Sequence, residues 1–217
     1  MAPPVKRRSY DSSRRRELAR QSRGRMLDAA RRRFLADGYA ATTLAGIGAD
    51  AGVSVETVYK AFKNKAGILK AVFDVAVAGD DEPVPIMERS WVAAIRAEPD
   101  AARKLRMYTD RLPPSMARTA PILLFIRSAT ALDPDIAALW QQLHAERITG
   151  MAAFGADLAA TGQLRDDVTA EVARDVLWTL NAVDVYELLV LDRGWTPQRY
   201  QQFVAEALIA ALVRSPD

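Results

Sequence analysis

The chain is predicted to be all-α, with an N-terminal three-helix helix-turn-helix domain and a C-terminal helical domain. Three observations carry this. Helical periodicity runs along most of the sequence, and no stretch alternates apolar and polar residues as a strand does. Residues 42–65, TTLAGIGADAGVSVETVYKAFKNK, read as two short helices around a tight turn and the start of a third. Charge divides along the chain. Residues 1–75 hold 16 Lys+Arg against 7 Asp+Glu, a balance of +9, and the remaining 142 hold 14 against 20, a balance of −6.

The elements follow in order. Residues 1–12 read as a basic disordered arm, with two prolines and Lys6-Arg7-Arg8. Such an arm either follows a DNA minor groove or is a solvated tail. A first helix is expected over residues 13–37, stopped by Gly38. Met26, Ala30 and Phe34, spaced i, i+4, i+8 with Leu27 beside them, make a narrow apolar stripe. Arg31, Arg32 and Arg33 cannot share one face, so some must point to solvent or phosphate.

Thr43 is placed to cap a helix over residues 44–51, and Gly52 to end it with a left-handed turn. Ser54 is placed to cap a second helix, residues 55–62. Gly48 falls where the two helices pass closest, and Ile47, Val53 and Val58 where the angle between them is filled with hydrocarbon. Asn64 is placed to cap a helix from Lys65 that ends near Gly79. An ordinary helical hairpin would use the same punctuation, but the surrounding positive charge is the electrostatic footprint expected for phosphate. The basic helix-turn-helix domain is set at residues 13–80. Asp80, Asp81, Glu82, Pro83 and Pro85 then break the pattern.

Residues 81–217 read as the second domain, with helices over 86–97, 101–116, 121–131, 134–160, 168–192 and 197–214. The last two carry apolar stripes wider than one buried face needs. This predicts burial against a second copy, with core burial within one chain as the alternative.

Composition narrows the function. There is no cysteine and only one histidine, so neither a disulfide framework nor a metal site is expected. No apolar run approaches the roughly 20 residues of a membrane span. The basic start lacks the apolar stretch of a secretory signal, and the reading is a soluble cytoplasmic protein. With no glycine-rich phosphate loop and no credible nucleophile–base pair, no enzyme activity and no cofactor are expected.

The ordered set Ala29-Ala30, Phe34, Gly38-Tyr39, Thr42-Thr43, Ala51-Gly52-Val53-Ser54, Tyr59, Phe62 and Lys65 resembles the tetracycline-repressor (TetR) family of transcriptional regulators, over about residues 20–75. Trp178 and the Arg193-Gly194-Trp195 turn look like a branch of the same family. The resemblance implies a homodimer on a palindromic operator in double-stranded DNA. It implies phosphate contacts from Thr42, Thr43, Tyr59 and Lys65. Residues 54–60, among them Ser54, Val55, Glu56, Thr57 and Lys60, should enter the major groove. Glu56 stands where many members have Gly. It is either turned from the phosphates or accepts from a cytosine amine.

The resemblance also implies a C-terminal ligand-binding and dimerisation domain, the dimer forming through the last two helices. An unknown small molecule would then release a repressor from its operator. The alternative is a DNA-binding dimer without a small-molecule ligand, whose C-terminal region only dimerises or recruits protein and whose core is filled. Candidate ligand residues are Tyr108, Phe125, Arg127, Trp140, His144, Trp178 and Asn181, with Trp91, Met107, Met151 and Phe154 beside them. Aromatic residues at helical spacing also simply pack. Arg127, in the run PILLFIRSA, needs an internal carboxylate or an acidic ligand if it points inward, and neither if it points outward.

Overall fold

Alanine and arginine dominate the first helix, and the alanines decide which side of it is buried. In the computed structural model, which describes residues 7–215 and side chains from residue 14, α1 runs over Arg7–Ala41. It is broken at Gly38, whose φ of 82° and ψ of 174° lie outside the helical region. The stop at Gly38 is where the sequence places it. The helix begins six residues ahead of the expected start at 13, and residues 1–6 of the expected arm lie outside the described residues.

Met26, Leu27, Ala29, Ala30 and Phe34 are buried on one side of α1. They meet Ile47 of α2 (Leu44–Ala51), Val58 and Phe62 of α3 (Val55–Phe62), and Ile68, Leu69 and Val72 of α4 (Lys65–Ala78) in the buried set of this unit. Each large side chain so buried contributes roughly 1.5–3 kcal/mol. Two arginines fix α1 to α2. Arg33 forks onto the Asp50 carboxylate at 2.6 and 2.9 Å, and Arg25 Nε donates to the Ala51 carbonyl at 3.2 Å. Arg31 and Arg32 are exposed. The arginine triplet therefore splits between a structural role and solvent, as its spacing requires.

One compact unit ends at Val75 and the other begins at Ala76, so the division falls inside α4. The second unit is a helical bundle. A 3₁₀ turn (Ile86–Glu88) is followed by α5 (Ser90–Ala97), α6 (Ala101–Thr109), α7 (Leu112–Ala129), α8 (Pro134–Ala159), α9 (Ala170–Leu180), α10 (Val183–Tyr186), a π-helical turn (Glu187–Asp192) and α11 (Pro197–Leu212). Leu105, Leu158, Leu177, Tyr200 and Leu208 are at its centre, each fully buried. Among the described residues no strand forms, and the single extended pairing is an isolated bridge between Leu164 and Val213. The fold is all-α.

Three expected helices divide differently. The segment expected over 86–97 breaks at Arg89, whose backbone is extended (φ −68°, ψ 142°). Its guanidinium is held by Asp80 at 2.6 and 2.9 Å. The segment expected over 101–116 ends at Thr109, and α7 starts at Leu112 with prolines in its first turn, where no N–H is needed. Pro121, expected to open a helix, lies inside α7. Its neighbours Thr119, Ala120 and Ile122 are buried, and that packing offsets the lost backbone hydrogen bond. The apolar segment expected over 168–192 stops at Leu180. Ala182 is extended (φ −70°, ψ 145°), and the chain resumes as α10 and the π-helical turn. No helix of the described residues is long and apolar enough to cross a membrane.

The Arg89–Asp80 pair gives a pH test. The hydrogen bonds from Arg89, and then the Glu82 backbone N–H, hold the Asp80 carboxyl down from its ordinary 3.8 to about 2. A depressed carboxyl stabilises the fold above its unfolded pKa, and that contribution is lost as pH falls through the folded one. Thermal midpoints of the wild type should therefore drop more steeply between pH 4 and pH 2 than those of Asp80→Asn. Parallel curves would remove the pair from the stability of this loop.

Candidate nucleic-acid interface and effector cavity

The turn between α2 and α3 is built by short polar side chains on backbone groups. Thr43 Oγ1 accepts from the Gly46 N–H at 3.0 Å and caps α2. Gly52 takes φ 69° and ψ 37°, the left-handed stop that glycine adopts at least cost. A side chain at Gly48 would meet the Val53 carbonyl at 2.9 Å, so glycine there lets α2 close on the turn. Ser54 then caps α3, its Oγ accepting from the Thr57 N–H at 3.3 Å and lying 3.1 Å from Thr57 Oγ1.

This construction leaves one side of α3 uncovered. Val58 and Phe62 are buried. Ser54, Val55, Glu56, Thr57, Tyr59 and Lys60 are exposed, Tyr59 by 59% of its surface. A row of hydroxyl, methyl, phenol and ammonium groups on a short capped helix has the chemistry that base edges and phosphates accept. Lys63, not singled out in the sequence, ends α3 with φ 71° and is also exposed. Glu56 turns back onto its own helix start. Its backbone N–H, and next the Ser54 hydroxyl, hold its pKa below the ordinary 4.5.

Thr42 and Lys65, both expected on phosphate, make contacts within the chain. Thr42 is fully buried, and its hydroxyl donates to the Gly38 carbonyl at 2.8 Å, so it closes the end of α1 and does not face phosphate. Lys65 is half-buried. Its ammonium donates to the Tyr39 carbonyl at 2.9 Å and lies 4.0 Å from the centre of the Tyr39 ring.

The second unit contains a cavity of about 120 Å³ between the 3₁₀ turn, α5, α6 and α8. Met87, Trp91, Ile95, Tyr108, Met151 and Phe154 are among the residues of its wall, and Asp157 lines it too. Tyr108 and Phe154 rings are 5.1 Å apart. Of the ligand candidates, the structure brings Trp91, Tyr108, Met151 and Phe154 to this cavity. It does not bring Met107, Phe125, Arg127, Trp140, His144, Trp178 or Asn181 there.

Arg127 pairs with two partly exposed carboxylates of its own chain, Asp184 at 2.6 Å and Glu187 at 2.6 Å, and does not line the cavity. The Trp140 and His144 rings pack with centroids 4.1 Å apart, tilted at 58°, and His144 Nδ1 lies 2.9 Å from the Trp140 carbonyl. The Arg147 guanidinium covers the Trp178 ring at 4.5 Å and donates to the Trp178 carbonyl at 2.7 Å. Those rings pack on one another. Asn181 ends α9, its N–H on the Leu177 carbonyl at 3.1 Å, and Phe125 is half-buried on α7. Lys104, which reaches Asp157 from 53 positions away, had no local sequence signal.

Residues 26–72 match the model of the bacterial regulatory proteins of the tetR family. No curated protein matches the chain. Among solved structures, the regulator FadR from Bacillus subtilis in complex with stearoyl-CoA is 19% identical, with a TM-score of 0.67 over 86% of this chain and 97% of that one. A transcriptional regulator from Saccharomonospora viridis in complex with choline is 21% identical, with a TM-score of 0.63 over 90% and 99%. SmeT, in complex with triclosan, is 23% identical, with a TM-score of 0.63 over 89% and 92%. These likenesses show a shared fold, and the match over residues 26–72 identifies that segment, the helix-turn-helix unit, with the tetR family of bacterial regulatory proteins.

Proposed function

We propose that the chain is a homodimeric DNA-binding regulator of transcription that acts in the cytoplasm, a repressor released from a palindromic operator by a small molecule. The observation that carries the DNA reading is α3. Its start is capped, its buried side is anchored by Val58 and Phe62, and its other side presents Val55, Thr57, Tyr59 and Lys60 to solvent. Phosphates would fix its register, from Thr43, Tyr59 and the exposed arginines of α1, while Val55 and Thr57 would meet base edges.

A dimer is supported by apolar surface near the end of the chain. Leu188 and Leu191 on the π-helical turn are 59% and 54% exposed, and Phe203 on α11 is 40% exposed with Trp195 against it at 5.6 Å. Exposed hydrocarbon gathered in one stretch of chain is a candidate interaction surface, and a two-fold pair gives the two half-sites a helix-turn-helix uses. The cavity favours a small-molecule effector over the reading with a filled core. Effector binding would act by favouring one of two arrangements of the dimer.

The test is selection of bound sequences from a random DNA pool. An enriched inverted repeat is expected. Val55→Ala and Thr57→Ala should change the enriched bases more than the total affinity, and an unchanged preference would move the reading helix elsewhere. Lys65→Met should lower both the thermal midpoint and the slope of log affinity against log salt, the latter by about one. A changed midpoint with an unchanged slope would assign this lysine to the fold alone.

A further inference from the structure

Three aromatic rings and a carboxylate around a cavity suggest a cation site at first sight, because aromatic faces and an anion together attract ammonium groups. The local charges point elsewhere. Asp157 is already neutralised by the Lys104 ammonium, 2.8 Å away and 2% exposed as a residue. That ammonium also donates to the Ile95 carbonyl at 3.0 Å and the Arg96 carbonyl at 2.8 Å, so its three donors are all in use. One face of Trp91 carries the Arg111 guanidinium at 4.2 Å. A cationic ligand would find the carboxylate spent and the best ring partly covered.

An anionic ligand fares no better. Arg147, three positions before the wall residue Gly150, is turned to Trp178 and does not line the cavity. Arg96 lines the cavity but is exposed to solvent, which screens it. What the cavity does offer is Tyr108. Its hydroxyl reaches only the Met151 sulfur, at 3.8 Å, a weak acceptor. Burial pushes its pKa up, so it stays a neutral donor. A buried hydroxyl without an oxygen or nitrogen acceptor gains from one.

We propose that this cavity takes an uncharged, mainly apolar ligand with one hydrogen-bond acceptor, which receives the Tyr108 hydroxyl while Met87, Trp91, Ile95 and Phe154 enclose the hydrocarbon. This rests on the effector reading above and names the chemical class of the effector. The volume, about 120 Å³, suits a single ring with a short substituent.

The test uses the full chain and four probes of one size: acetophenone, ethylbenzene, benzoate and benzylamine. Dissociation constants come from calorimetry or from the shift of the unfolding midpoint. Acetophenone is expected to bind best, ethylbenzene about fivefold more weakly for want of the hydrogen bond, and both charged probes more than tenfold more weakly. Tyr108→Phe should erase the preference for acetophenone over ethylbenzene and leave ethylbenzene affinity unchanged. The wild-type ranking tests the proposal even if the variant misfolds. Benzoate or benzylamine binding as well as acetophenone would overturn it, as would a preference that survives Tyr108→Phe, or no binding by any probe. Selection of DNA is scored separately. An enriched inverted repeat with the wrong probe ranking overturns the ligand class alone, and failure to enrich any sequence removes the regulator reading.

Discussion

Gly67→Ala is expected to unfold or loosen the helix-turn-helix unit, although it adds one methyl group to a helix. Gly67 is the third residue of α4, and its N–H donates to the Asn64 side chain at 2.8 Å, which caps the helix. A Cβ at this position would run into the Phe62 carbonyl oxygen, a backbone atom that cannot swing aside. Only two residues, Lys63 and Asn64, separate α3 from α4, and Lys63 already sits at φ 71°. The turn therefore has little freedom left, and α4 would have to shift away from the end of α3. Forced overpacking of this kind costs about 1–3 kcal/mol, a large part of a small unit's stability.

The control is Gly24→Ala, in α1, where nothing lies within 4 Å of the added atom. That change should stabilise by roughly 0.5–1 kcal/mol, since alanine is the better helix former. Urea midpoints of the two variants should move in opposite directions, and DNA affinity should fall only for Gly67→Ala. If both stabilise, the approach of α4 to Phe62 is looser than the structure has it.

The contrast between these glycines shows what the sequence carries. Around the helix-turn-helix the punctuation is local. Thr43, Gly52, Ser54 and Asn64 each act on a backbone group within three or four residues, so the helices Leu44–Ala51 and Val55–Phe62 are legible to the residue. Gly67 was not legible, because its constraint comes from where the α3–α4 turn places a carbonyl. In the second unit the same distinction recurs. The break after Leu180 has no Gly or Pro to announce it, and the run stays apolar on both sides. Pro121 did announce a break, but packing overrode it. Arg127 meets its partners 57 and 60 positions away, so periodicity showed a cation in an apolar run and nothing of what neutralises it. The cavity residues Trp91, Tyr108, Met151 and Phe154 were recognisable as large side chains, but not separable from Trp140, His144 and Trp178, which pack on each other.

Lys104→Ala is the second change expected to have a large effect, and it bears on both the fold and the cavity. Lys104 lies on α6, yet its ammonium caps two carbonyls at the end of α5 and pairs with Asp157 on α8. It joins the three helices that enclose the cavity. Removing it leaves the Asp157 carboxylate, 25% exposed, without its partner and two carbonyls without a donor. Breaking a buried pair costs about 3–5 kcal/mol, and the partial exposure of Asp157 argues for the lower end. The urea midpoint should fall accordingly, and acetophenone binding should weaken with it.

A double-mutant cycle separates the two contributions. In Lys104→Met with Asp157→Leu no charge is left uncompensated, so part of the loss should be recovered. Full recovery would mean that the ion pair dominates and the carbonyls find other donors. No recovery would place the weight on the Ile95 and Arg96 carbonyls, which no change at Asp157 can satisfy. Partial recovery is expected, because the ammonium spends two of its three hydrogen bonds on backbone and one on the carboxylate. The residue that keeps the cavity neutral would then also be the one that fixes the end of α5 against α6.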